Sequence, residues 1–169
     1  WAMAMSPKRI TVSTCGFLPN LKDFLDSTQV HIAISLHNMI PNERQEIMPI
    51  EKAYKIEDVI ELLKQYDWTG QRRLTFEYIV FKNLNDDYRH IFSLVSNLSD
   101  IECRINLIRF HTIPNTIFQQ ADDKDMIKIR DILTSKGLIA TIRASRGEDI
   151  LAACGLLSTK KLLSLPVKN

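Results

Sequence analysis

The residue of this chain best suited to covalent chemistry is a cysteine near its C-terminal end, Cys154, in the small-residue run AACG. Small neighbours leave a sulfur atom accessible, and nearby guanidinium groups lower the pKa of a thiol and so favour the nucleophilic thiolate. Arg143 and Arg146 lie in the segment that leads to this cysteine. The segment therefore predicts a reactive thiol. The alternative interpretation of the same residues is a small apolar side chain packed in the core.

A hydroxyl and an imidazole lie two positions apart in the run AISLHN, at Ser35 and His37. Alternate residues of a strand point to the same side, so we expect both side chains to contact one ligand. A serine hydrolase is another interpretation of this pair, but the sequence has no G-x-S-x-G turn to support it. The chain has five glycines and contains neither of the glycine-rich phosphate-binding motifs, which argues against a nucleotide-binding loop.

Two hydrophobic periodicities alternate along the chain and predict strands and helices in turn. Apolar, β-branched runs predict five strands, at 10–13, 30–36, 74–81, 104–110 and 138–142. Apolar residues spaced three and four apart predict helices at 55–66, 87–98 and 123–136, and a shorter helix at 21–26 capped by Asn20. This alternation requires parallel crossovers, so we predict an α/β fold, a partial (βα) barrel with about five mainly parallel strands and helices on the outside.

Polar residues cluster where the predicted strands end. They are Ser13, Ser35 with His37, the loop of Asn85 to Asp87 that follows Glu77, His111, and Arg143. Parallel α/β folds place their sites at the C-terminal ends of strands, so we expect these residues to share one rim. Each of them taken alone is more typical of a loop cap or a structural hydrogen bond.

Composition limits the classes of function. The chain has 169 residues, which predicts one domain over 1–169, and its 22 basic and 20 acidic residues leave a net charge of +2. Such a balance excludes the strongly basic surface of a bulk nucleic-acid binder, so any RNA contact is expected to be local. Three scattered cysteines, with no span-length apolar run and no signal-peptide pattern, predict a cytoplasmic protein with no metal-ligand set of its own. Candidates for RNA contact are Lys8, Arg9, Arg72, Arg73, Lys160 and Lys161.

Five sequence blocks cover nearly the whole chain: RITVSTCGFLP (9–19), AISLHNMIPNERQEIMPI (33–50), LTFEYIVFKNLND (74–86), INLIRFHTIP (105–114) and IRASRGEDILAACG (142–155). In this order and spacing they resemble the radical S-adenosylmethionine RNA methyltransferases that modify carbon 2 of adenine in 23S ribosomal RNA and transfer RNA. The related chloramphenicol-florfenicol resistance methyltransferases act on carbon 8 of the same base. The resemblance leaves the choice between the two carbons, and between the two RNAs, open.

The resemblance implies roles for matched positions. Ser13, Ser35, Leu36 and His37 would line the S-adenosylmethionine site. His111 stands where many family members carry a cofactor-contacting asparagine, and an imidazole can still form a hydrogen bond there.

For Cys154 the resemblance implies the role of methyl acceptor. In the family, the cysteine takes a methyl group from one S-adenosylmethionine, a radical made from a second molecule abstracts hydrogen from that methyl, and the carbon adds to adenine. An accessible thiolate is suited to the first displacement.

The family's cluster-binding motif C-x-x-x-C-x-x-C lies upstream of the first matching block and is not found in this sequence. Cys15 and Cys103 do not replace it, because three thiolates must converge on one cluster and these two belong to different predicted strands. The resemblance thus implies the C-terminal portion of a catalytic domain whose 4Fe-4S cluster ligands and RNA-binding domain lie outside this sequence.

Two expectations follow for the chain on its own. It should be inactive as a methyltransferase, and its open sheet edge should favour self-association. The alternative from a different functional class is a domain without a cluster that only binds a nucleoside or RNA.

Overall fold

The computed structural model describes residues 5–112 and 116–144, which contain one sheet and five α-helices. The strands are β1 (Thr11–Thr14), β2 (His31–Ser35), β3 (Leu74–Val80), β4 (Arg104–Arg109) and β5 (Ile139–Ile142). The helices are α1 (Leu18–Ser27), α2 (Pro41–Ile47), α3 (Ile56–Leu63), α4 (Tyr88–Leu98) and α5 (Asp123–Ser135). Two short 3-10 helices cover Pro7–Arg9 and Pro49–Lys52.

The five strands form a parallel sheet in chain order, β1-β2-β3-β4-β5. The register places Ser35 beside Glu77, Glu77 beside Asn106, and Asn106 beside Thr141, so these four residues form one row across the sheet. The predicted α/β architecture with five parallel strands is confirmed, and each strand lies within one residue of its predicted limits. All strand tips therefore point to one edge, as the sequence predicts.

One face of the sheet packs against the helices and holds the hydrophobic core. On β3 the alternation is complete: Leu74, Phe76 and Tyr78 are buried, whereas Thr75 and Glu77 between them are only half-buried. Fully burying a large apolar side chain contributes about 1.5–3 kcal/mol, so this layer supplies much of the driving force for folding. We call the opposite face, which carries the half-buried set, the inner face.

A glycine in the first crossover permits close packing between two elements. Gly16 has φ 94°, a left-handed conformation that residues with a side chain rarely adopt. A Cβ atom added there would lie 2.9 Å from Cγ2 of Val59 on α3. Helix α3 contributes Ile56, Val59 and Ile60 to the core, as its predicted spacing requires. The turn after β1 is therefore held directly against α3.

Two predicted helix limits were wrong. Asn20 lies inside α1 rather than at its cap, because the helix begins at Leu18, with Pro19 in its first turn. Helix α3 ends at Leu63 rather than Tyr66, and the indole of Trp68 donates a 2.8 Å hydrogen bond to the Leu63 carbonyl. An indole that caps a free carbonyl from outside the helix leaves no periodic signal in the sequence.

The limits of α4 and α5 follow local signals. The Asp87 carboxylate accepts a 3.1 Å hydrogen bond from the amide of His90 and caps α4. Helix α5 has acidic residues in its first turn and stops before Gly137, whose φ is 88°. Within the described ranges, no helix is long and apolar enough to cross a lipid bilayer.

Candidate functional site at the strand tips

A row of polar side chains crosses the inner face near the strand tips. The Ser13 hydroxyl donates a 3.1 Å hydrogen bond to Oε2 of Glu77. Nη1 of Arg143 lies 3.6 Å from Oε1 of the same carboxylate. Farther along, the Thr141 hydroxyl lies 3.5 Å from Oδ1 of Asn106. The row contains side chains of β1, β3, β4 and β5 and of the residue that follows β5, and Glu77 contacts two of them.

The Glu77 side chain is 19% exposed and faces away from the core, so its carboxylate is accessible from the inner face. Its backbone carbonyl accepts hydrogen bonds from the amides of Leu36 (2.9 Å) and His37 (3.3 Å), which fixes the end of β2 beside it. Sequence reasoning named Glu77 only as a landmark before a loop. The signal that marks it is its phase, because it alternates with the buried residues of β3 and therefore faces the polar side.

His37 does not lie on a strand, because β2 ends at Ser35 and His37 adopts φ 56°. The prediction that Ser35 and His37 share a side by strand alternation was therefore wrong in its premise. Nδ1 of His37 accepts a 3.1 Å hydrogen bond from the amide of Ile79 on β3. That ring nitrogen is occupied by a backbone donor, so it is not the base that a Ser-His hydrolase requires.

Burial, followed by the nearby positive charge of Arg44, lowers the pKa of His37 to about 4. The ring is thus neutral around neutral pH. Since Nδ1 accepts, the proton resides on Nε2, and His37 presents a hydrogen-bond donor rather than a charge.

The remaining predicted cofactor-lining residues differ in what they expose. Ser13 is exposed and Ser35 is half-buried, and both lie on the inner face. The Leu36 side chain is fully buried in the core, so only its backbone can contact a ligand. His111 is half-buried just beyond the end of β4. Of the five predicted residues only Leu36 has its side chain in the core; the other four lie near or just beyond strand ends and are exposed or half-buried.

A buried arginine fastens two of these strand tips. Arg44 on α2 is 0% exposed and donates to the carbonyls of Leu36 (3.0 Å), Ser35 (3.0 Å) and Cys15 (3.5 Å). Its guanidinium also pairs with the buried carboxylate of Glu51 at 2.5 Å. Arg44 therefore satisfies carbonyls that β1 and β2 present where the sheet ends.

Glu51 in turn accepts a 3.1 Å hydrogen bond from the amide of Ile56 at the start of α3. The pair thus joins the strand tips to a helix. Sequence reasoning missed both residues.

The two cysteines in the described ranges lie at opposite ends of their strands. Cys15 is exposed just after β1, and Cys103 is buried just before β4, where burial raises the pKa of its thiol to about 12. Cys103 is part of the hydrophobic core. Within residues 5–112 and 116–144 no three His, Cys, Asp or Glu side chains are grouped to hold a metal ion. The described residues therefore do not fit an iron-sulfur cluster.

The interpretation of Cys154 and Arg146 as a reactive thiol and its activating cation lies outside the described residues. The chain that leads to them is described as far as Ala144. The Arg143 amide donates a 2.8 Å hydrogen bond to the Leu107 carbonyl of β4, and its guanidinium approaches Glu77. The described chain therefore ends beside the polar row.

A cavity of about 630 Å³ lies at the opposite ends of the strands, between residues that precede β1, β2 and β3. Arg72 lines it but is only 6% exposed, since it donates to the carbonyls of Val30 and Leu25 and lies 5.2 Å above the Trp68 ring. The prediction of Arg72 as a surface contact for RNA phosphate was therefore wrong. Because its lining residues precede the strands, this cavity is not part of the candidate site at the strand tips.

Solved structures define the class of protein to which this sheet and rim belong. A crystal structure of a radical SAM methyltransferase from Sphaerobacter thermophilus matches with a TM-score of 0.83 and 34% identity, over 89% of this chain and 44% of that chain. The fold is therefore that of a radical S-adenosylmethionine (SAM) methyltransferase. No protein-family model matches the chain.

Curated relatives make the assignment specific. The chain is 55% identical over 161 residues to a probable dual-specificity RNA methyltransferase RlmN of Parabacteroides distasonis, covering 95% of this chain and 47% of that protein. It is 51% identical over 169 residues to the Porphyromonas gingivalis protein of the same description, covering 100% of this chain and 49% of that protein. The chain belongs to the RlmN family, and it spans about half the length of the curated relatives it matches.

Proposed function

We propose that this chain is the C-terminal portion of the catalytic domain of a radical SAM methyltransferase that methylates carbon 2 of adenine in 23S ribosomal RNA and transfer RNA. By full-length protein we mean this chain together with the half that its curated relatives have in addition. The polar row centred on Glu77, at the tips of parallel strands, is the observation that carries the proposal. Its RNA substrates place the full-length protein in the cytoplasm.

The donor set of the rim suits S-adenosylmethionine. Glu77 supplies a carboxylate that can accept from ribose hydroxyls, and the Ser13 and Ser35 hydroxyls can both donate and accept. The His37 ring supplies a neutral donor, and backbone groups of Leu36 lie between these side chains. We assign Ser13, Ser35, Leu36, His37 and His111 to this site.

When bound, S-adenosylmethionine supplies an activated methyl group. Cys154 is assigned as the residue that accepts it: its thiolate forms a bond to the methyl carbon while the carbon–sulfur bond of the sulfonium breaks, which leaves S-adenosylhomocysteine. Arg143 holds positive charge beside the polar row, on the path of the chain towards this cysteine. A guanidinium near a thiol favours the thiolate form.

The chain alone is expected to be unable to reduce S-adenosylmethionine, because that step requires the 4Fe-4S cluster. Anaerobic reconstitution with iron and sulfide, followed by electron paramagnetic resonance, should give no reducible four-iron signal from these 169 residues. A full-length curated relative, treated in parallel, is the control for the reconstitution itself. A four-iron signal from the chain alone would overturn the assignment of its cluster ligands to the other half.

We also infer that the chain by itself associates with a second copy. Among the described strands, β1 pairs only with β2 and β5 only with β4, so both outer edges present unpaired backbone groups. Ile139 on β5 adds an apolar side chain that is 52% exposed. Sedimentation velocity at rising concentration should show dimers or larger species, and a monomer throughout would contradict this inference.

A further inference from the structure

The loop at His37 continues the hydrogen bonding between β2 and β3 beyond the end of β2, in an unusual backbone conformation. His37 is one of two residues other than glycine with positive φ among the described residues, and a left-handed conformation persists in such residues only where surrounding contacts hold it. Its amide donates to the Glu77 carbonyl, and its ring accepts from the Ile79 amide. The ring thus takes the place that a carbonyl of β2 would have if that strand continued.

Asn85 is the residue that holds this arrangement. Its side-chain amide donates to the carbonyls of His37 (2.7 Å) and Ile79 (2.8 Å), and its Oδ1 accepts from the Phe81 amide (2.7 Å). The backbone partners therefore fix which end of the side-chain amide is the nitrogen and which is the oxygen. Asn85 is 1% exposed, and its own carbonyl accepts from the Tyr78 hydroxyl at 2.8 Å.

The consequence for the imidazole is a fixed tautomer. A backbone amide can only donate, so Nδ1 of His37 has to be unprotonated, and the ring proton resides on Nε2. Among the described residues Nε2 has no hydrogen-bond partner, and it is not sealed from solvent. The donor is thus available to a ligand at the rim.

We propose that Asn85 is a positioning residue that locks His37 as a neutral Nε2–H donor for a hydrogen-bond acceptor atom of the nucleoside ligand. This inference rests on the proposed function for the identity of that ligand, S-adenosylmethionine. Asn85 acts through the His37 carbonyl and the end of β3 and does not itself contact the ligand. A donor held in advance loses little freedom on binding, which favours affinity.

Two measurements test the positioning role of Asn85 separately from the identity of the ligand. In this chain, nitrogen-15 spectra of the His37 ring at neutral pH should show one protonated and one unprotonated nitrogen, with the proton on Nε2. Asn85→Asp keeps the acceptor for Phe81 but removes both donations, so the ring should shift towards a mixture of tautomers. Asn85→Ser removes the same donations without adding a charge. The matched control is Asn97→Asp, which removes a 2.8 Å donation to the Ser93 carbonyl within α4 and should leave His37 unchanged.

Binding is measured on the full-length protein with S-adenosylhomocysteine as the probe. Asn85→Ser should weaken binding about tenfold, the effect of misplacing one hydrogen bond, and Asn97→Asp should not. A wild-type ring with its proton on Nδ1, or a ring pattern unaltered in both Asn85 variants, would overturn the positioning role. If the predicted ring pattern is found but wild type binds no probe, the proposed function fails while the lock stands.

Discussion

Replacing Arg44 by methionine is expected to destabilise this chain by about 3–5 kcal/mol, because the substitution leaves the Glu51 carboxylate buried without its partner. Glu51 is 4% exposed, so water cannot replace the guanidinium. The carbonyls of Ser35 and Leu36 lose their donor at the same time. The free energy of unfolding from urea titration, followed by circular dichroism, measures the loss.

Two further variants make this result specific. The double variant Arg44→Met with Glu51→Met removes the uncompensated charge and should recover part of the lost stability. Lys22→Met breaks an exposed pair with Asp26 and should leave stability near that of wild type. If Arg44→Met behaved like Lys22→Met, the buried pair would not be the anchor of the strand tips.

Replacing Cys154 by serine is expected to abolish methyl transfer in the full-length protein, because a hydroxyl at neutral pH is a far weaker nucleophile than a thiolate. Wild-type protein incubated with S-adenosylmethionine should gain about 14 Da, the mass of one methyl group replacing a hydrogen, and peptide mapping should place it on Cys154. The serine variant should show no gain and should form no methylated adenine in ribosomal or transfer RNA.

The other cysteines provide an internal control for that experiment. Burial raises the pKa of Cys103 to about 12, so this thiol stays protonated and should remain unmodified. A methyl group mapped to Cys15, or methylated adenine produced by the serine variant, would refute the assigned role. The same nucleoside analysis distinguishes carbon 2 from carbon 8 of adenine.

Sequence patterns predicted the sheet well because they report burial directly. The apolar phase of β3 and the glycine that stops α5 are local signals, and both are found in the structure. The rim could be predicted only as a set of strand tips. The conformation of His37 could not, since strand alternation holds only while the strand continues and β2 ends at Ser35.

Residues whose role depends on distant partners escaped prediction. Arg44 and Arg72 are charged and would ordinarily be solvated, yet both are buried, and each donates to backbone carbonyls of other segments of the fold. Helix α2, which carries Arg44, has a mostly polar sequence without an apolar stripe, so no hydrophobic periodicity predicts it. Glu77 showed its phase in the sequence, but its partners are Ser13 on β1 and Arg143 just after β5, at the two sides of the sheet.

The strand order equals the order of synthesis, and this has a consequence for assembly. Each new strand pairs with the one made just before it, so no strand has to wait for a partner that is still to be made. A nascent chain with this order can therefore build its sheet one strand at a time, from β1 to β5, as it leaves the ribosome.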